Sequence, residues 1–283
     1  MRFLNFRKGQ GNISLNLSNY SVFLLSKIST MKYEIIKDGT YEYVTIGDGP
    51  VVVFLHGLMG ALSNFEQTSS IIAKAGYRVV IPSLPIYTLP LLKTSAKGIS
   101  KFLEKFIADL KLKNVTLLGN SLGGHVALIY TKNNPGLVKN LMLTGSSGLY
   151  EKAMGDSFPR REDYNYIQQK TQDVFYDPAI ATKELVDEVF ESVNSRERII
   201  RILAIAKSAI RHNMAKDLPS MELPVCLLWG KDDGVTPPQV ALEFDRLLPN
   251  SELFWFEKCG HAPMMEHPVD FANICIKWLN NHQ

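Results

Sequence analysis

The stretch "LLGNSLGGHVAL", residues 117–128, sets Ser121 between Gly119 and Gly123. A serine hydroxyl is a poor nucleophile at neutral pH and needs a base to take its proton. His261, in "EKCGHAPMMEHP", offers an imidazole, and Asp232 and Asp233, in "WGKDDGVTPP", offer carboxylates. A carboxylate beside the imidazole would fix its tautomer and stabilise the imidazolium. A serine attacking an acyl carbon also builds an oxyanion, which needs donors already in place. The backbone N–H of Leu122, directly after the serine, is one candidate. The N–H of Leu58, in the loop after "VVVFLHG", is the other, with His56 and Gly57 shaping that loop. Gly-x-Ser-x-Gly by itself turns up by chance in about one chain in ten of this length. The weight therefore falls on whether the chain brings these groups together.

The positioning elements follow from the pattern. "MKYEIIKDGTYEYVTIGDGP", opening at Met31, begins like a first hairpin; "TYEYVTIG" alternates with period two and reads as a strand, and "GDGP" after it as a turn. "VVVFLHG", "YRVVIPSLP", "NVTLLGN" and "VKNLMLTGS" are short apolar runs of the kind that form strands covered on both faces. Between them, "NFEQTSSIIAKAG", "SAKGISKFLEKFIADLKL" and "LGGHVALIYTKNN" read as helices. In the second of these, Ile99, Phe102, Leu103, Phe106, Ile107 and Leu110 recur at spacings of three and four. From about Ser147 to Leu218 no buried strand is visible, and segments such as "TKELVDEVFESV" and "SRERIIRILAIAKSAIRHNM" are helix-like. Alternation then resumes with "LPVCLLWG", "PPQVALEFDRLLP", "SELFWFE" and "HPVDFANICIKWLNNH".

Strands alternating with helices predict an α/β fold, with a mostly parallel central sheet, helices on both faces and a helical cap inserted after the sixth strand. The expected organisation is a leader over 1–30, core over 31–146, cap over 147–218 and core again over 219–283. Ligands of such sheets bind beyond the carboxyl ends of the strands. Ser121, Asp232, Asp233 and His261 all follow predicted strand ends, in the order serine, aspartate, histidine. The glycines around Ser121 suit a sharp strand-to-helix turn, and Gly124 lets the helix pack close to the sheet.

With these segments in view, residues 31–283 resemble the α/β-hydrolase family, and among its members the lidded serine hydrolases. The resemblance is carried by "FLHGLMG", "LLGNSLGGHVAL", "LLWGKDDGVTPP" and "CGHAPMMEHPVDF". It implies Ser121 as nucleophile, His261 as general base and Asp233 as the acid. Asp233 is preferred to Asp232 because the family's acid usually stands four residues before a proline, here Pro237. Family members that open epoxides or remove halides carry aspartate at the elbow, whereas this chain has Ser121. The implied reaction is hydrolysis of a small carboxylic ester through an acyl-enzyme. A second expectation is carbon–carbon bond hydrolysis, as in meta-cleavage product hydrolases, which share "GNS", "SNF" and "WGKDD". Against it, their glycine- and proline-rich oxyanion loop is replaced here by "HGLMGALSNF". A third is a slow-turnover small-molecule receptor on the same fold.

Composition sets the remaining bounds. With 46% hydrophobic and 21% charged residues in 283, the chain is an ordinary globular one. No apolar run approaches the ~20 residues that span a bilayer. The net charge of +3 owes four positives to Arg2, Arg7, Lys8 and Lys27, and the remainder carries −1. There is no basic stripe with interleaved aromatics, so no nucleic-acid partner is expected. Nor is a metal or cofactor: the histidines lack ligand spacing, and there is no phosphate-cradling or dinucleotide loop. The expected partner is a small-molecule substrate, and oligomeric state is left open. Cys226, Cys259 and Cys275 read as free thiols in a reducing compartment, which favours the cytoplasm. The basic, acid-free tail leaves a transit peptide as the alternative. His125 reads as a packed core residue, His212 and "RERIIR" as solvated surface, and His267 as a cap or brace of the last helix.

Overall fold

The computed structural model describes residues 33–150 and 160–282. The expected leader, and part of the expected cap, lie outside the described residues. Strands β1 (Ile36–Asp38) and β2 (Tyr41–Ile46) form the hairpin foreseen in the sequence, with Ile36 opposite Tyr43. Strand β2 runs antiparallel to β4 (Arg78–Pro82). The remaining strands are parallel: β3 (Val51–Leu55), β5 (Val115–Asn120), β6 (Val138–Thr144), β7 (Val225–Gly230) and β8 (Ser251–Phe256). The sheet order is β1-β2-β4-β3-β5-β6-β7-β8.

The apolar runs of the central strands are explained by cover on both faces. Leu55, Leu117, Leu141 and Leu227 point to one side. They meet α2 (Ala96–Asp109), α3 (Leu122–Asn133) and α7 (Pro238–Leu247). Their neighbours Phe54, Leu118, Met142 and Leu228 point to the other side, against α1 (Glu66–Lys74) and α9 (Pro268–Asn281). Helix α2 shows the logic locally. The Ser95 hydroxyl accepts the N–H of Gly98 at 3.0 Å and caps the first turn. Ile99, Leu103, Phe106 and Ile107 are buried, each contributing about 1.5–3 kcal/mol of transfer free energy.

Among the described residues, three α-helices are inserted between β6 and β7: α4 (Tyr164–Gln172), α5 (Lys183–Asn194) and α6 (Arg196–Arg211). Thr182 and Ser195 cap α5 and α6, which the sequence pattern located. Helix α4 starts at a cap by Asp163 and was not singled out. Val193, Ile202 and Ile205 of these helices join the same core as α2 and α3. The expectation of a solvated "RERIIR" face is corrected in part. The Arg198 guanidinium sits 5.2 Å over the Tyr87 ring, and Arg201 pairs with Glu197 while donating to the carbonyl of Leu89. Both arginines thus attach α6 to the segment after β4. A short helix, α8 (Pro263–Glu266), precedes α9. His267 stands at the cap position of α9, yet its ring bonds the carbonyl of Lys258 at 3.1 Å and so braces the loop rather than capping the helix.

Candidate active site

Ser121 occupies the turn between β5 and α3 with φ 53° and ψ −120°. A side-chain-bearing residue adopts such a backbone only when its surroundings impose it, at about 1–3 kcal/mol. Three main-chain bonds do so. The Ser121 N–H donates to Thr144 O at 3.1 Å, and the Ser121 carbonyl accepts from Ser147 at 3.1 Å and His125 at 3.2 Å. A Cβ at Gly123 would lie 2.1 Å from the carbonyl oxygen of Leu55, so only glycine lets α3 start this close to β3. Leu122 is the first residue of α3, where N–H groups have no acceptor within the helix.

The loops after β7 and β8 bring Asp233 and His261 together. His261 Nδ1 lies 2.9 Å from Asp233 Oδ2 and 3.1 Å from Oδ1. The carboxylate accepts three further bonds: the N–H groups of Val235 and Thr236 at 2.8 and 2.9 Å, and the Thr236 hydroxyl at 2.8 Å. An acceptor-only carboxylate this well supplied makes Nδ1 of His261 the donor and Nε2 the unprotonated nitrogen of the neutral ring. Burial works against the charge on Asp233, but His261 and the Thr236 donors outweigh it and hold the carboxyl below its ordinary value. Asp232, by contrast, is exposed.

His56 fixes the loop after β3. Its Nε2 accepts the N–H of Leu84 at 3.0 Å, so Nδ1 carries the proton and donates to the Gly57 carbonyl at 2.9 Å. Complete burial pushes its pKa down, in keeping with a neutral ring. Gly57, Leu58, Ser121, Leu122 and His261 all line one cavity of about 160 Å³.

These features fit one another. A model of the alpha/beta hydrolase family matches residues 52–274. The chain belongs to that family. Among solved structures, this α/β-hydrolase is 45% identical to MGS-MChE2, an alpha/beta hydrolase enzyme from a lagoon-sediment metagenome. The match covers 88% of this chain and 98% of that one, with a TM-score of 0.73. Curated relatives include the 2-hydroxy-6-oxononadienedioate/2-hydroxy-6-oxononatrienedioate hydrolase of a Pseudomonas species, 28% identical over 86% of this chain and 92% of its own. The namesake from Cupriavidus pinatubonensis is 25% identical over 92% and 99%. The esterase of Exiguobacterium antarcticum, at 23% identity and a TM-score of 0.69 over 85% of this chain and 96% of its own, shares the fold.

The α/β-hydrolase also contains site residues that sequence reasoning missed. Thr236 donates to Asp233 and stands 3.3 Å from His261 Nδ1. Its signal was there to be read, since an Asp followed three residues later by Thr is a side-chain-closed turn. Gly145, at φ +49°, leaves the space that the His261 ring needs: a Cβ there would stand 2.9 Å from Nδ1. Asn120 donates to the carbonyls of Thr144 and His261. His212 departs from the expected surface role. Its Nδ1 meets Nε2 of buried His125 at 3.1 Å, joining α3 to the end of α6. Cys226, Cys259 and Cys275 are all buried and unbridged. No helix among the described residues is long and apolar enough to cross a membrane.

Proposed function

We propose that this α/β-hydrolase cleaves small carboxylic esters with an apolar acyl group through an acyl-enzyme, with Ser121, His261 and Asp233 as the catalytic residues. The observation that carries the reading is the 2.9 Å bond between His261 Nδ1 and Asp233 Oδ2, in a cavity that Ser121 also lines from a strained turn. In this scheme Nε2 of His261 takes the Ser121 proton as Oγ attacks the acyl carbon. The N–H groups of Leu122 and Leu58 receive the oxyanion. Collapse expels the alcohol, which takes the proton back from His261. Water, deprotonated by the same nitrogen, then releases the acid.

The chemistry of the wall supports an apolar acyl group. Met59, Val174, Phe175, Leu185, Val189 and Met264 line the cavity, contributed by the oxyanion loop, the inserted region and α8. The inserted helices act as a cap that covers the acyl pocket and keeps water from it. Fluorophosphonate labelling that Ser121→Ala abolishes, together with turnover of a chromogenic short-chain ester, tests the assignment. A wild-type chain that neither labels nor turns over would sink it.

Carbon–carbon bond hydrolysis is the second reading, favoured by the names of the curated relatives. A dioate substrate brings two carboxylates, and burying them requires paired cations. Among the described residues, Lys170 is the one lysine or arginine lining the cavity, and it is already paired with Asp173 at 3.1 Å. Esters are therefore placed first. Turnover of a ring-fission dienedioate exceeding that of the ester would reverse the order.

A further inference from the structure

His261 is held from two directions. Asp233 fixes its ring, and a second carboxylate fixes the peptide from which the ring springs. Glu266, the last residue of α8, accepts the N–H of Gly260 on Oε1 at 2.8 Å and the N–H of Tyr176 on Oε2 at 2.8 Å. Beside this bracket the N–H of His261 donates to the carbonyl of Val174 at 2.9 Å. The two segments touch closely: a Cβ at Gly260 would lie 2.5 Å from Val174 O and 2.9 Å from the Phe175 Cα. Residues 174–176 follow α4 in the inserted region, and the side chains of Val174 and Phe175 line the cavity.

We infer that Glu266 is a positioning residue that sets the register of the base by bracketing the His261 loop to the wall of the acyl pocket. The inference rests on the reading of His261 as base. The two jobs need two acceptor oxygens on one rigid group. A carboxylate supplies them, whereas a glutamine has one oxygen and would turn an N–H₂ toward the second N–H. Because Val174 and Phe175 belong to the same strip of chain, a substrate filling the cavity presses on the segment that holds the base. The bracket thus ties occupancy of the pocket to alignment of the imidazole. Small misplacement of a catalytic group is costly even when all groups remain present.

The test uses the full chain, 4-nitrophenyl butyrate as substrate and a fluorophosphonate to count working sites, so that misfolded protein drops out of the rate. In Glu266→Gln, kcat per titrated site is expected to fall by between about tenfold and a hundredfold, with KM unchanged. Glu266→Asp keeps the charge but is one methylene too short to reach both donors, so it is expected to share the loss. An Asp variant at the wild-type kcat would assign the effect to charge and overturn the bracket. So would a Gln variant at the wild-type kcat, or one that loses titratable sites while each remaining site works normally. If the wild type neither labels nor hydrolyses the ester, the assignment of Ser121 and His261 falls as well, which an active wild type with indifferent Glu266 variants would not imply.

Discussion

The side-chain amide of Asn120 donates to the main-chain carbonyl of His261 at 3.2 Å, and its other proton goes to the carbonyl of Thr144 at 3.1 Å. The residue before the assigned nucleophile therefore ties the end of the neighbouring strand β6 to the loop that carries the assigned base. Asn120→Asp replaces two donors by acceptors facing two buried carbonyls. The expected cost is about 2–4 kcal/mol of stability, read as a lower denaturant midpoint, together with a large fall in kcat. A variant with wild-type stability and turnover would show that the link is dispensable.

The two neighbouring aspartates should separate cleanly. Asp233→Asn removes the charge that faces the imidazole and is expected to lower kcat by about 10³–10⁴-fold. Asp232 is exposed, and Asp232→Asn should leave kcat close to that of the wild type. Equal losses in a steady-state comparison would reassign the acid.

The strained turn at Ser121 gives a stability signature. Glycine at this φ of 53° relieves about 1–3 kcal/mol of strain but loses more backbone entropy on folding, about 0.5–1 kcal/mol. Relief is the larger effect, so Ser121→Gly is expected to be dead yet more stable than Ser121→Ala by about 1 kcal/mol. Thermal unfolding of the pair measures the difference, and a less stable glycine variant would show that the turn stores no strain.

Acid should loosen the fold through its buried histidines. Burial, with the facing His212, lowers His125 from 6.5 to about 3. Because the folded value lies below the unfolded one, the unfolded chain binds the proton first. Stability that is full above pH 6.5 is then lost as pH falls toward 3, by up to about 1.4 kcal/mol per pH unit for this residue. His56, also pushed down by burial, adds in the same direction. Among the described residues Nδ1 of His125 has no hydrogen-bond partner, so His125→Phe gives up only the bond to His212 and should be tolerated. It should flatten the dependence without abolishing it, and an unchanged slope in urea titrations across this range would refute the assignment.

The sheet was legible because parallel strands covered on both faces must read as short apolar runs, as "VVVFL" and "VTLLGN" do. The place of Ser121 directly after β5 was legible for a related reason: a strand end fixes where the next residue stands, whatever follows in sequence. The supporting contacts were not. Thr236 and Gly145 meet His261, and Glu266 meets Gly260 beside it, through loop geometry, which neither period nor spacing encodes. The His125–His212 pair joins residues on α3 and at the end of α6, and helix amphipathicity says which face is buried but not which partner it meets. The cavity was hidden for the same cause, since α4, α5 and α6 each lend it only two or three residues.

The turn at Ser121, the proposed nucleophile, and the loop of His261, the proposed base, lie on opposite sides of the inserted helices in chain order. A ribosome adding about 5–20 residues each second needs roughly seven to thirty seconds to travel the roughly 140 residues from Ser121 to His261. Throughout that interval the nascent chain carries its serine without the imidazole that would arm it. On the proposed mechanism, translation order alone thus keeps the growing polypeptide harmless to the esters around it until the last strand of the sheet has been made.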